Sequence, residues 1–448
     1  MPEDLRAMAR AHRRSLMRRL PDGLILLQAA PTARRNGDVE FPYRQDSSFL
    51  WLTGVEQPGY ALLLDTRRRE EWLFCPRLTQ KHAVWIGGIP SLAEARRRYG
   101  VGHAAYRDEL AKTLARLARR GGGEIHADAR SLALAREAAP RAHAGAAALA
   151  DALQELRIVK DERELQLLRK ASDATARGHR AAMRAARPGL YEYQVQAELE
   201  REFVRAGCPE VGYSSIVAAG RNGAVLHYTS NDARLERGQL LLIDAGAEYR
   251  GYTADVTRTF PVSGRFTTRQ RELYQVVLES QARSIAQARA GVTTIDLQRG
   301  SEASLAEGLR WLGLLRGGVD ELVDSGAIRV FYPHGFGHSL GLDVHDVQGG
   351  RRRRLPRPKS GRPRFRARLE PGFVITIEPG IYFNPALLHD RELRARHRGR
   401  IAFDRAERYL GLGGIRIEDD VVVQPSGPPL NLTRAPKQIA DVEAACAG

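Results

Sequence analysis

Two hydrophobic rhythms divide the chain. Up to about residue 155, apolar runs of strand length (Leu24 to Gln28, Tyr60 to Leu64, Trp72 to Cys75) alternate with stretches of helical period. The first twenty residues scatter apolar positions between charges. They predict an amphipathic helix and lack the continuous apolar core of a signal peptide. Leu92 to Gly123 predicts helix with arginines on its outer face, and the Ala-rich residues 130 to 156 continue in helix. Leu156-Arg157-Ile158-Val159-Lys160 reads as a junction, which predicts one domain over 1–156 and another over 157–448.

Beyond the junction, Asp161 caps a predicted helix Glu162 to Ala186, with Leu165 and Leu168 in its apolar stripe. Pro188-Gly189 ends it, and Tyr193 to Ala206 is the next helix. After Gly207 strands and glycine-rich turns take over, up to about Val262. Thr268 to Ala290 and Ile295 to Leu312 return to helix, and from His334 onward strands dominate, notably Val374 to Glu378 and Ile415 to Val423. Helix, helix, strands thus occurs twice, an α+β arrangement that looks like a crude duplication, although the halves share too little sequence to be called a repeat.

Composition narrows the class. With 448 residues, 43% hydrophobic and 27% charged, the chain is an ordinary globular protein long enough for two domains. No window approaches the ~20 apolar residues of a membrane span, so no membrane partner is expected. Cys75, Cys208 and Cys446 are odd in number and far apart, suggesting neither disulfides nor a thiolate metal site, and pointing to a reducing, cytoplasmic compartment. The net charge of +17 raises the question of nucleic acid. Only six of the 70 basic residues are lysines, however, and the arginines are spread along the chain. No nucleic-acid motif accompanies them, so a solvated surface is the simpler reading. Arg351 to Arg354 form the one dense run, in a Pro- and Gly-rich setting that predicts a loop.

Four stretches carry the candidate chemistry. Leu240 to Phe260 reads as two strands around an Arg250-Gly251 turn. A tight hairpin there sets Asp255 opposite Gly246 and Asp244 one pleat along on the same face. His334-Gly335-Phe336-Gly337-His338 and the following residues to Asp346 hold three histidines, His334, His338 and His345, among glycines that predict a loop in close approach to something. Glu378 ends an apolar run before Pro379-Gly380. In Ile415-Arg416-Ile417-Glu418, period-2 alternation puts Arg416 and Glu418 on one face. Singly, each has a bland explanation: a solvated hairpin, a packed histidine, a plain ion pair. Together, four carboxylates and an imidazole form a hard donor set suited to Mn²⁺, and to Co²⁺ or Zn²⁺, when two ions share carboxylates. Such a pair can activate a water and polarise a carbonyl. No serine-hydrolase elbow, P-loop or convincing dinucleotide motif competes.

These stretches, in this order, resemble the pita-bread metallopeptidases, and within them the Xaa-Pro peptidases, prolidase and aminopeptidase P. The resemblance extends to Tyr43-Arg44-Gln45-Asp46-Ser47-Ser48-Phe49 and to Pro76 to Gly88. It implies a pita-bread catalytic domain after a smaller α/β N-terminal domain, and two divalent ions. It implies that Asp244 chelates one ion, that Asp255 and Glu418 bridge both, and that His338 and Glu378 complete the other, with Glu378 also accepting and returning a proton. By the same resemblance His227 and His345 contact substrate and stabilise the tetrahedral intermediate. His334 and Arg416 wall the proline pocket, while Tyr213 and Tyr382 support the metals and that pocket. A homo-oligomer, dimer or tetramer, is implied too.

Arg221 departs from the family by replacing an acid common there. Segments 350–368 and Asn384 to Leu412 are longer than in a typical bacterial aminopeptidase P and favour prolidase, as does Cys75-Pro76-Arg77-Leu78 with His82 and Trp85. Arg364 falls where prolidases place an arginine that clamps the C-terminal carboxylate, which restricts the enzyme to dipeptides. The leading expectation is therefore a metal-dependent Xaa-Pro dipeptidase. The alternatives are an aminopeptidase P acting on longer proline-containing peptides, a non-catalytic binding protein on the same fold, and a metal-free hydrolase of creatinase type.

Overall fold

The computed structural model describes residues 1–77, 79, 83–85, 87–88, 90–121, 123–358 and 362–447. Leu78 and His82 of the predicted prolidase-like segment lie outside them. The described chain divides into two compact units, Met1–Arg157 with Gly349–Arg352, and Ile158–Gln348 with Arg353–Gly448.

The first unit is built on a six-stranded mixed sheet. Leu24–Gln28 lies at its middle, antiparallel to Ala61–Asp65 and parallel to Glu124–Ala127. All three predicted strands form. The two long predicted helical stretches do not. Leu92–Tyr99 stops at Gly100, whose φ of 64° ends the helix in the left-handed region, and His103–Tyr106 then pairs in parallel with Glu70–Cys75 before helix resumes at Leu110. Likewise Leu132–Ala138 and Ala147–Arg157 are separated by His143–Gly145, a strand added beside Glu124–Ala127. Pairing with an existing sheet edge overrides the helix propensity of these Ala-rich segments. The Arg351 run also differs from expectation, forming a helical turn over Gly350–Arg353. Gln45 and Asp46 have structural work here. Buried Gln45 bonds the backbone at Ala30, Val55 and Gln57, and Asp46 caps Ser47–Thr53 through the Phe49 amide.

The second unit repeats one scheme. Helices Glu162–Ala185 and Glu192–Arg205 precede one set of antiparallel strands, and Thr268–Gln287 and Thr294–Trp311 precede another. Asp161 closes a capping box with Glu164 at the start of the first helix. In the first strand set, Leu240–Asp244 lies between Ile216–Ala219 and Thr257–Pro261. In the second, Val374–Ile377 pairs with Asp419–Val422, and Gly380–Tyr382 with Gly414–Arg416. Leu241, Ile243, Ile415 and Ile417 send their side chains into the main core with Leu199, Phe203, Phe260 and Leu309. Between Ile415 and Ile417 the position goes to Arg416, whereas Leu242 faces a second apolar cluster with Ile216, Ala218 and Tyr382.

Arg250 and Gly251 both have positive φ, 53° and 85°, the mirror-image turn that suits a two-residue hairpin. Tyr249 faces Tyr252, and the same register continues down to Asp244 opposite Thr257. Gly246 lies in the narrow stretch between, where a Cβ would sit 1.8 Å from the Ala254 carbonyl oxygen. Gly246→Ala is therefore expected to lower stability by roughly 1–3 kcal/mol through overpacking against backbone, read as a lower urea midpoint with unchanged m-value.

Candidate metal centre

The hairpin register brings the first two acids together. Asp244, Asp255 and Thr257 share a face, and the Tyr213 hydroxyl ties two of them, 2.6 Å from Asp244 Oδ1 and 2.5 Å from Asp255 Oδ1. The histidine-rich segment is the closely approaching loop that its glycines predict. Its backbone runs antiparallel to 374–378, with Leu340 N bonded to Val374 O, Thr376 N to His338 O and Glu378 N to Phe336 O. That ladder sets His338 beside Glu378. His338 Nδ1 donates to the Ser339 carbonyl, which turns Nε2 toward Asp255 Oδ2 at 3.4 Å and Glu378 Oε1 at 3.6 Å. Glu418 arrives from the other strand set. Its amide donates to Thr257 O, and its Oε2 accepts from Thr257 Oγ1 at 2.7 Å. Donor atoms of Asp255, His338 and Glu418 lie within 4.8 Å of one another, close enough to hold one ion.

Electrostatics shows what the cluster lacks. Burial pushes Glu418 well above the usual carboxylate range, and neighbouring Asp255, Glu378 and Asp244 push it further. Burial and the charges of Asp255 and Asp244 outweigh His338 and Arg416 to raise Glu378 to about 7, and Asp255 is raised as well. Burial opposes a charge on His338, yet its bond to Asp255 and the charge of Glu378 carry it up to about 9. Packed acceptor oxygens that take up protons to coexist are a site short of positive charge, and divalent cations fit that deficit.

One cation is already present. Buried Arg416 bonds Asp244 Oδ2 at 2.5 Å, Thr257 Oγ1 at 2.9 Å and the Tyr382 hydroxyl at 2.7 Å. Tyr382 stands 2.8 Å from His334 Nε2. His334 Nδ1 must donate to the Gly335 carbonyl, so Nε2 accepts the Tyr382 proton. Burial first, then the charge of Arg416, holds His334 neutral, down to about 3. Asp244 is thus wired through Arg416 and Tyr382 to His334. The His345 ring packs edge-on to His338, with centroids 4.1 Å apart. Burial, then the charges of His338 and His227, lowers it to about 4.

Residues 166–425 match metallopeptidase family M24, and residues 9–126 match the aminopeptidase P N-terminal domain. The chain belongs to metallopeptidase family M24. It is 35% identical to the Xaa-Pro aminopeptidase of Escherichia coli K12, over 99% of this chain and 98% of that one. It is 36% identical to a probable Xaa-Pro aminopeptidase of Penicillium rubens, over 94% and 92%. Among solved structures, aminopeptidase P from E. coli with the inhibitor Pro-Leu superposes with a TM-score of 0.87 at 34% identity, covering 99% of this chain and 98% of that one. The pita-bread fold and the smaller N-terminal domain expected from sequence are those of this M24 chain.

Of the twelve predicted site residues, ten are drawn into one connected cluster. His227 and Arg364 are exposed and touch it through charge alone, both acting on His345. Several participants in this M24 site carry little signal of their own in the sequence. Thr257 links Glu418 to Arg416. Asp420, 1% exposed, accepts the Asp255 amide at 3.1 Å. Thr376 Oγ1 accepts the His338 amide at 3.1 Å. Lys160, part of the junction by sequence, makes a buried 2.8 Å ion pair with Asp346 next to His345. For Asp420 the available signal is the run Glu418-Asp419-Asp420, three consecutive acids on a strand with apolar flanks.

Protons and cations compete for the same oxygens. Below about 7 Glu378 holds a proton that an arriving ion must displace, and above it the proton is gone. The rise in Tm on adding Mn²⁺ to chelator-stripped protein should therefore be small at pH 5 and grow toward pH 8. A rise that is equal across this range would show that these carboxyls do not take up the ion.

Proposed function

We propose that this chain is a dinuclear Xaa-Pro aminopeptidase, releasing the N-terminal residue from peptides whose second residue is proline. The observation that carries it is the convergence of Asp244, Asp255, His338, Glu378 and Glu418 on one buried point, in a chain alike over its whole length to aminopeptidase P enzymes. Asp244, Asp255 and Glu418 would hold and bridge two divalent ions, with His338 and Glu378 completing one of them. The oxygen-rich donor set favours Mn²⁺, with Zn²⁺ or Co²⁺ as substitutes. The ions supply Lewis acidity toward the scissile carbonyl and activate water. Glu378 would also accept a proton from the attacking water and return it to the leaving nitrogen. His345, held neutral, and His227 face the developing oxyanion. Arg416, Tyr382 and His334 form a fixed polar wall for the proline side of the substrate.

The aminopeptidase reading displaces the dipeptidase as the leading one. The relatives are Xaa-Pro aminopeptidases, and Pro-Leu, bound as inhibitor in the E. coli enzyme, has the form left after cleavage of Xaa-Pro-Leu. Arg364, expected from sequence to be a carboxylate clamp, stands exposed. We place the enzyme in the cytoplasm, in keeping with three free cysteines of which two are buried, and expect a homo-oligomer. Among the described residues no helix is long and apolar enough to cross a membrane.

Two measurements test the proposal. With Mn²⁺ present, Ala-Pro-Ala should be cut at least tenfold faster than Ala-Pro; preference for the dipeptide would return the dipeptidase reading. Asp255→Asn should lower kcat/KM by at least about 10³-fold, the scale of losing a group that orders a catalytic ion. Unchanged turnover in that variant, or an inert parent protein, would favour a binding role on the same fold.

A further inference from the structure

Glu418, Asp419 and Asp420 are 2%, 0% and 1% exposed, yet only Glu418 and Asp420 face the centre. Asp419 points the other way, into a buried network. Its Oδ1 accepts from Arg258 Nη2 at 2.7 Å, and its Oδ2 accepts from Lys437 Nζ at 2.5 Å and Asn431 Nδ2 at 2.7 Å. Arg258, between Thr257 and Thr259 and fully buried, spends its remaining donors on backbone. Nη1 donates to Thr257 O and to Glu418 O at 2.7 Å, Nε to Pro436 O at 2.8 Å, and Nη2 also to Ala435 O. The C-terminal segment 431–437 is held down by further buried groups. Ser172 donates to Leu432 O, Tyr274 to Lys437 O at 2.7 Å, and Lys437 itself to Gln281 Oε1 at 2.9 Å.

Resting on the metal-centre reading above, we infer that segment 431–437 is part of the active site's machinery: through Lys437, Asp419 and Arg258 it holds the Glu418 backbone where that carboxylate meets Asp255 and His338. Arg258 Nη1 seals the junction at which Glu418 N already bonds Thr257 O and Thr257 Oγ1 bonds Glu418 Oε2. A fully buried guanidinium keeps its place only while its acceptors keep theirs. Lys437 supplies the second cation that fixes Asp419, so loosening Lys437 is felt at Glu418 through Asp419 and Arg258. Arg258, Asp419 and Lys437 are positioning residues, because none reaches the substrate or the ions.

The test is a calorimetric Mn²⁺ titration of chelator-stripped full-length protein, with KM and kcat measured at saturating Mn²⁺. Lys437→Met should weaken Mn²⁺ binding about tenfold, the lower end for groups behind a ligand, while KM for Ala-Pro-Ala stays within about twofold. Lys437→Arg should recover most of the affinity. Glu71→Gln, which breaks the buried Arg13–Glu71 pair of the first unit, should lower Tm and leave Mn²⁺ affinity unchanged. If Lys437→Met does not fold, Tyr274→Phe, which removes only the hydroxyl bonded to Lys437 O, should still weaken Mn²⁺ binding measurably. A folded Lys437→Met or Tyr274→Phe that binds Mn²⁺ like the parent overturns the inference, as does an equal loss in Glu71→Gln. A parent protein that takes up no divalent ion overturns the metal-centre reading instead.

Discussion

Four carboxylates crowded into one largely buried space are the constraint around which the catalytic unit is organised. Like charges about 5 Å apart repel by roughly 3 kcal/mol in a medium of intermediate dielectric, and burial removes the water that would have screened them. The protein answers with few compensations of its own: one guanidinium, a tyrosine hydroxyl shared between two acids, and a histidine drawn to its protonated form. These leave a deficit of positive charge that either protons or divalent cations can fill. Holding the acids in place despite their repulsion falls to backbone. Asp244 and Asp255 are fixed by a hairpin register, His338 and Glu378 by a ladder, and Glu418 by its bond to Thr257.

Much of this geometry is legible in the residues, for reasons that can be named. The Arg250-Gly251 turn has only a few tight solutions, and each dictates which side chains share a face, so the amino-acid order alone sets Asp255 opposite Gly246. Alternation alone separates Ile415 and Ile417 from Arg416 and Glu418. Sequence reasoning fails where a segment's conformation is decided by a distant partner. His103–Tyr106 and His143–Gly145 are strands because a sheet edge stands ready for them, not because their own Ala- and His-rich sequences ask for it. Glycines around His338 signal a loop in close approach to something, and Gly337, where a Cβ would sit 1.9 Å from the Thr376 carbonyl oxygen, lets it lie along 374–378; which segment it approaches is not written in its own residues. Asp419 and Asp420 are hard to read because alternation sends neighbours to opposite faces and gives no hint that both faces are occupied by polar partners.

The distinction between dipeptidase and aminopeptidase is the least legible part. Its one candidate determinant in the sequence, Arg364, is exposed, and an exposed long side chain leaves no pattern of periodicity or burial to read. The length of segments 350–368 and Asn384 to Leu412 points one way, and full-length likeness to aminopeptidase P enzymes points the other. Length is a poor guide to specificity because a surface insertion of this size costs little in closure entropy.

The pairing of 336–340 with 374–378 bears on how such an enzyme diversifies. Leu340 and Val374 are bonded to each other, so everything between them is a detour that starts and ends at a fixed gate. His345 against His338, the buried Lys160–Asp346 pair, and Phe365, Ala367 and Leu369 in a buried cluster pin parts of that detour, so exchange without moving His338 or Glu378 is confined to its exposed positions, such as Arg354, Pro356 and Arg357. A family with this wiring can vary its surface at those positions while the paired backbone beneath is inherited intact.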